Sequence, residues 1–287
     1  MSKRNLFAAV ATIACLAQPA WAQDYPDSGD AVASDDGSWT GFYVGGRLGL
    51  SEAADENNET VLFDTNLDRT FGDAVRTGAG ADAFSPGFCG GRALAPQAAV
   101  GCRGDRERTE YAGHVGFDYD LGGIVVGVIG EYARGGGRDS VTAFSTTPAN
   151  YVLTRNLRDS FGLRARAGLD LGSTLIYGTG GGVYGRFRNR FSSSNVANAF
   201  QVNGGREEEF GYSFGGGVEQ RFGPRFSLGA QFLRTSIEDD SSTVRTSRGT
   251  APATNPFILV NPNGTDFRRG NSDFETNSYH VTASFRF

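Results

Sequence analysis

The sequence predicts an all-β chain: an eight-stranded antiparallel up-and-down transmembrane β-barrel with short periplasmic turns and four long extracellular loops. Three observations carry that expectation. Eight segments alternate apolar with polar residues, which marks strands with two unlike faces. Tight turns and long connections alternate between them, as in a meander that crosses a layer. The chain also opens on an export signal, and an exported barrel whose apolar residues point outward needs lipid around it rather than water.

Residues 1–22 read MSKRNLFAAVATIACLAQPAWA, with Lys3 and Arg4 ahead of an apolar run and Ala20-Trp21-Ala22 as a small-x-small cleavage pattern. This reads as a signal peptide cut after Ala22, with Ala20 and Ala22 as the small residues of the cleavage site. Cys15 does not make it a lipoprotein signal, because Thr12 stands where a leucine-like residue belongs. Residues 23–38 are acidic, polar and without period, and are expected to be a disordered periplasmic lead-in to a barrel over 39–287. No later apolar run reaches the roughly 18 residues of a membrane helix. The mean hydropathy of −0.32 does not argue against a barrel, since alternating strands cancel in any window average.

The first strand follows Trp39, with Phe42, Val44, Leu48 and Leu50 facing out and Tyr43 and Arg47 facing in. The second sets Tyr111, Val115, Phe117, Tyr119 and Leu121 against His114, Asp118 and Asp120. In the third, Val126, Val128 and Tyr132 oppose Gly127 and Glu131, with Val125 and Ile129 blurring the contrast. The fourth is the clearest: Phe161, Leu163, Ala165, Ala167, Leu169 and Leu171 against Ser160, Arg164, Arg166 and Asp170. The fifth is expected to turn Leu175, Tyr177, Val183 and Phe187 outward, opposite Tyr184 and Arg186. Phe210, Tyr212, Phe214, Val218 and Phe222 of the sixth oppose Ser213, Glu219 and Arg221; Phe226, Leu228, Ala230 and Phe232 form the seventh. The eighth, SYHVTASFRF, alternates Tyr279, Val281, Ala283, Phe285 and Phe287 with His280, Thr282, Ser284 and Arg286.

Gly122-Gly123, Gly172-Ser173 and Gly223-Pro224 supply the tight turns, while residues 52–106, 135–157, 189–208 and 236–273 form the long loops. Aromatic residues gather at both strand ends. Phe42, Tyr119, Tyr177, Phe222, Phe226, Phe285 and Phe287 mark the short-turn side, and Tyr111, Tyr132, Phe161, Phe187 and Phe210 the long-loop side, as two interfacial girdles would.

WTGFYVGGRLG near the start, GGVYGR at 181–186 and the closing YHVTASFRF resemble the opacity-protein, OmpA-type small outer-membrane barrels of Gram-negative bacteria, over residues 39–287. The resemblance implies an outer-membrane location and insertion by the barrel-assembly machinery. It also implies that the last strand, with Tyr279, Val281, Phe285 and Phe287, is the assembly signal.

Arg47, Asp118, Asp120, Glu131, Arg164, Arg166, Arg186, Glu219 and Arg221 are expected in the lumen, where eight strands leave room only for side chains. Unpaired buried charges are very costly, so a paired polar plug is expected, with Glu131 against Arg164 or Arg166 as its central pair. The alternative is a narrow water or ion path through gaps left by lumenal glycines. Cys89 and Cys102 share the first long loop and are expected to form a disulfide in an oxidising compartment. That loop has no histidine, and the spacing is not that of a redox pair, so a metal or redox role is disfavoured.

His114 and His280 are the only histidines and accompany no hydrolase motif, so no enzyme, cofactor or metal is expected. Stretches such as GTGGGVYG lack the lysine and the strand-to-helix setting of a phosphate loop. A net charge of −5 supplies no general nucleic-acid-binding face. Arginines 103, 106, 108, 134, 138, 155, 158, 188, 190, 268 and 269 fall near the outer rim, where lipopolysaccharide phosphates and carboxylates lie. The apolar stretch NPFILVNP, 255–262, is expected to pack within its loop. The function expected is an envelope-structural and surface-interaction role carried by the loops. A small-solute porin or narrow channel is the alternative, and an adhesin binding an extracellular ligand or host surface is the third reading.

Overall fold

A computed structural model describes residues 38–54, 59–238 and 242–287. The expected signal peptide, with Ala20 and Ala22, and nearly all of the acidic lead-in lie outside those residues. Eight strands make the barrel: β1 (Gly41–Ala53), β2 (Arg108–Asp120), β3 (Ile124–Gly135), β4 (Ala149–Asp170), β5 (Thr174–Ser193), β6 (Arg206–Phe222), β7 (Phe226–Glu238) and β8 (Asp273–Arg286). Each pairs antiparallel with its successor, and β8 returns to β1 with Phe285 opposite Val44 and Val281 opposite Leu48. Closure leaves the barrel wall without an edge, so every backbone group in it has a partner strand.

The burial pattern is that of a globule turned inside out. Leu163 is 69% exposed and Val281 63%, whereas Arg164 and His280, their neighbours on the same strands, are 2% and 3% exposed. The short turns close on glycines in the left-handed region, Gly122 at φ 85° and Gly172 at φ 82°. Asp120 and Asp170 brace these turns: Asp120 Oδ1 accepts from the Gly122 N–H at 2.9 Å, and Asp170 Oδ1 from the Gly172 N–H at 2.7 Å.

The fifth strand corrects the sequence reading by one residue. Leu175, Tyr177, Val183 and Phe187 face the lumen and are buried, while Ile176 and Arg186 lie outside. A one-residue shift exchanges every side chain between faces, so Tyr177 and Phe187 leave the expected girdles and Arg186 leaves the expected lumenal set. The physical reason is that this lumen is not polar throughout: apolar layers close it, and β5 feeds them.

The long connections are folded. Residues 149–157 and 189–193, expected in loops, extend β4 and β5 to 22 and 20 residues, far beyond the roughly 10 needed to span a bilayer. The strand Arg138–Ser145 pairs with the start of β4, and Phe88–Gly90 pairs with its other side. Ala199–Asn203, Thr243–Ser247, Thr265–Arg269 and Val61–Asp64 form a separate four-stranded sheet in that order. All four long connections thus contribute to one extracellular domain. Its core includes Val61, Phe63, Phe84, Val141, Tyr151, Leu153, Val244, Phe257 and Phe267. The rings pack edge to face, Phe84 lying 5.3 Å from Tyr151 and 5.7 Å from Phe257. Of NPFILVNP, Phe257 and Ile258 enter the core, and Leu259 and Val260 stay exposed. A disulfide joins Cys89, within the Phe88–Gly90 strand, to Cys102.

Candidate functional site

The lumen is filled in layers from the periplasmic mouth outward. Trp39, just ahead of β1, is fully buried across that mouth with Val125, Leu175 and Tyr177. Its indole Nε1 donates to Asp170 Oδ1 at 3.0 Å and to the Gly172 carbonyl at 3.2 Å. The Arg221 and Arg286 guanidiniums lie over the ring at 4.7 and 5.4 Å, so the indole is held from both its apolar and its polar sides.

Above it, Arg286 donates to Asp118 at 2.8 Å, and Arg166 bridges Asp118 at 3.2 Å and Glu219 at 3.1 Å. Arg166 is stacked between the Tyr177 and Tyr43 rings, at 4.5 and 5.3 Å, and Ser227 donates to Glu219 at 2.5 Å. A second charged layer follows. Arg164 donates to Glu131 through both terminal nitrogens at 2.7 and 2.8 Å, while Arg47 reaches Glu131 and Glu110, each at 2.8 Å. His280 lies 3.2 Å from Glu110 and 2.8 Å from Arg47. The two layers together set Arg47, Arg164, Arg166 and Arg286 against Glu110, Asp118, Glu131 and Glu219, so the lumen carries no net charge from these groups.

Between the layers, His114 meets Ser284 at 3.0 Å, and the residual cavity beside them is ≈ 10 Å³, room for about one water. Toward the outside, Leu157, Val183, Phe187, Ile237 and Phe274 form an apolar layer, with the Phe187 and Phe274 rings 5.0 Å apart. The lumenal glycines are not gaps. The Tyr43 ring lies where a side chain at Gly116 would begin, 2.3 Å from that Cβ position, and Asp118 occupies the same place at Gly127, at 2.1 Å.

Arg47, Asp118, Glu131, Arg164, Arg166 and Glu219 therefore meet in the lumen, and Glu131 pairs with Arg164 rather than Arg166. Three expected members do not belong. Asp120 braces the first turn, Arg221 binds the Ser38 carbonyl at the mouth at 2.7 Å, and Arg186 pairs outside with Glu208 at 3.0 Å. Glu110 and Arg286 complete the network. Both share the period-two inward phase of His114 and His280, which is the signal that could have found them.

A second cavity, ≈ 100 Å³, lies in the extracellular domain among Leu153, Arg155, Arg190, Val202, Arg268 and Arg269. Arg155 and Arg269 share Asp139 there, each at 2.8 Å. The rim arginines thus divide: 155 and 269 turn inward to a carboxylate, whereas 134, 158 and 190 face out. Among the described residues no cluster of three or more His, Cys, Asp or Glu is arranged to hold a metal.

A family model described as the outer membrane protein beta-barrel domain matches residues 8–287. No curated protein matches the chain. Among solved structures, the outer membrane protein OprG of Pseudomonas aeruginosa aligns at 11% identity over 86% of this chain and 97% of its own, with TM-score 0.46. The outer membrane protease OmpT of Escherichia coli aligns at 10% over 86% and 97%, TM-score 0.40. Ail, the attachment invasion locus protein of Yersinia pestis, aligns at 9% identity over 86% of this chain and 99% of its own, with TM-score 0.33.

Proposed function

The chain belongs to the outer membrane protein β-barrel family, and on that premise we propose that it is a closed, non-conducting barrel of the Gram-negative outer membrane, serving envelope integrity and surface interaction through its folded extracellular domain. The observation that carries this reading is the sealed lumen. Trp39 and its neighbours close one end, the Phe187–Phe274 layer closes the other, and about one water fits between the charged layers. A hydrated ion needs a continuous polar path, and two apolar layers in series oppose it. The family's location puts the apolar outer face against lipid and lipopolysaccharide.

The same seal argues against catalysis. His114 and Ser284 have the contact of a base and a nucleophile, yet both are buried between charged layers that no substrate bond can reach. The outward-facing Tyr279, Val281, Phe285 and Phe287 support reading β8 as the strand presented to the assembly machinery, since their rings and branched chain remain accessible from the lipid side.

Single-channel recording on the refolded chain from residue 23 onward tests the proposal, after heat-modifiable gel migration has established a folded barrel. Silent bilayers are expected. Reproducible ion-selective steps would replace this reading with the narrow channel.

A further inference from the structure

The outer surface of β3–β6 is ordered in rows. Tyr132, Phe161, Tyr184 and Phe210 stand opposite one another across the four strands, with paired rings 4.7 Å apart. Two residues further out, Arg134, Asp159, Arg186 and Glu208 make an alternating row, in which Arg134–Asp159 and Arg186–Glu208 are ion pairs at 3.0 Å. The tyrosine hydroxyls donate to the same Asp159 and Glu208. The next row changes character. Arg188 stands opposite Arg206, Arg158 sits at the irregularity of β4 beside them, and Arg190 follows on β5. None of these four forms an ion pair among the described residues, and Arg190, Arg158 and Arg206 hold the Arg188 guanidinium below its ordinary pKa by repulsion.

Aromatic rows of a barrel sit at headgroup level. The arginine row stands four residues beyond the aromatic row, about 13 Å along a strand and about 10 Å along the barrel axis once tilted, which places it on the polar side of the headgroup level, within reach of long side chains. The opposite side of the rim has the reverse sign. Above Phe232, Tyr279 and Leu50, the outer positions of β7, β8 and β1 carry Glu52, Glu238, Asp273 and Glu275, with Arg234 paired to Glu275 at 2.5 Å. The basic row is therefore a sector and not a uniform ring.

We propose that this sector, centred on Arg158, Arg188 and Arg206, docks the phosphate groups of lipopolysaccharide in the outer leaflet. Guanidinium forks match phosphate oxygens in pairs. A bound phosphate would supply the anion that the alternating row beneath has and this row lacks. The proposal rests on the membrane-spanning reading above, and failure of that reading would be visible separately as absence of a heat-modifiable barrel.

The test is native mass spectrometry of the refolded chain in detergent micelles containing purified lipopolysaccharide, comparing wild type with R158Q/R188Q/R206Q and with the opposite-sector variant E52Q/E238Q/E275Q. Wild type and the opposite-sector variant are expected to retain lipopolysaccharide through a detergent wash, and the arginine variant to lose it. Enzymatically dephosphorylated lipopolysaccharide should be lost from wild type as well, an arm that needs no variant to fold. Equal retention by wild type and the arginine variant would overturn the proposal. So would retention that survives dephosphorylation. Self-association of wild type in lipid-free detergent that disappears in the arginine variant would make the sector an interface between copies instead.

Discussion

Glu131 accepts from both terminal nitrogens of Arg164, at 2.7 and 2.8 Å, and from Arg47 at 2.8 Å. One carboxylate thus answers two guanidiniums, and the second charged layer depends on it. Replacing Glu131 with Ala takes the carboxylate from Arg164 and leaves Arg47 with Glu110 alone, and breaking a buried pair from one side costs about 3–5 kcal/mol. The E131A barrel should lose its heat-modifiable form at markedly lower temperature. The double variant E131A/R164A should cost less than the sum of the singles, because it removes the orphaned fork with its acid. Both should remain silent in planar bilayers, since neither touches the apolar layers.

Acid should weaken the extracellular domain through Asp139, which lies outside the membrane-spanning part. Burial pushes this carboxyl up, but Arg269 and Arg155 outweigh it and hold the group below the ordinary carboxylate range. A depressed folded-state pKa means that the stabilisation is complete above the unfolded value of about 4 and disappears as pH falls through the folded value. Near-UV circular dichroism should therefore hold steady to about pH 4 and fall below it. Asp139→Asn should weaken the domain at neutral pH and flatten the acid limb. An unchanged acid limb in that variant would remove Asp139 from the account.

The Cys89–Cys102 bond closes a segment with a sequence separation of 13, for which the chain-entropy estimate is about 3 kcal/mol. The tie holds a short strand, Phe88–Gly90, that pairs on one side only with Arg138–Ser145. Reduction, or the variant C89S/C102S, should make residues 88–103 the first site of proteolysis while the barrel keeps its gel mobility. A thiol assay finding both cysteines free in protein taken directly from membranes would remove the staple.

The faces of β4 and β8 were legible because their apolar and polar residues separate cleanly, as in Leu163 against Arg164 and Val281 against His280. That Glu131, Arg164 and Arg166 share the inward phase was legible for the same reason, but which arginine Glu131 pairs with was not, because period two puts both on the same face. Strand β5 was not. Its middle, GTGGGVYG, offers glycine on both faces, so Leu175, Tyr177, Val183 and Phe187 alone set the apparent phase. That inference assumes that apolar means outside, and it fails wherever a lumen is closed by apolar layers. Val125 and Ile129 of β3 gave the same sign by being apolar on the charged face, and both are buried. The extracellular core was illegible for another reason: its strands come from four connections distant in sequence, and pairings such as Phe267 opposite Phe63 leave no local period.

The phase of β5 can be measured directly at Val183 and Tyr184. In a background with Cys89 and Cys102 replaced by serine, Val183→Cys should face the lumenal apolar layer and Tyr184→Cys the aromatic row outside. A membrane-partitioning maleimide should label position 184 in the folded barrel and reach 183 only after heat denaturation. The reverse pattern would restore the phase that apolar periodicity alone suggests. It would also return Arg186 to the lumen and remove Phe187 from the layer facing Phe274. The sealed interior and the outward arginine sector would then fail together, because a single phase of β5 places both.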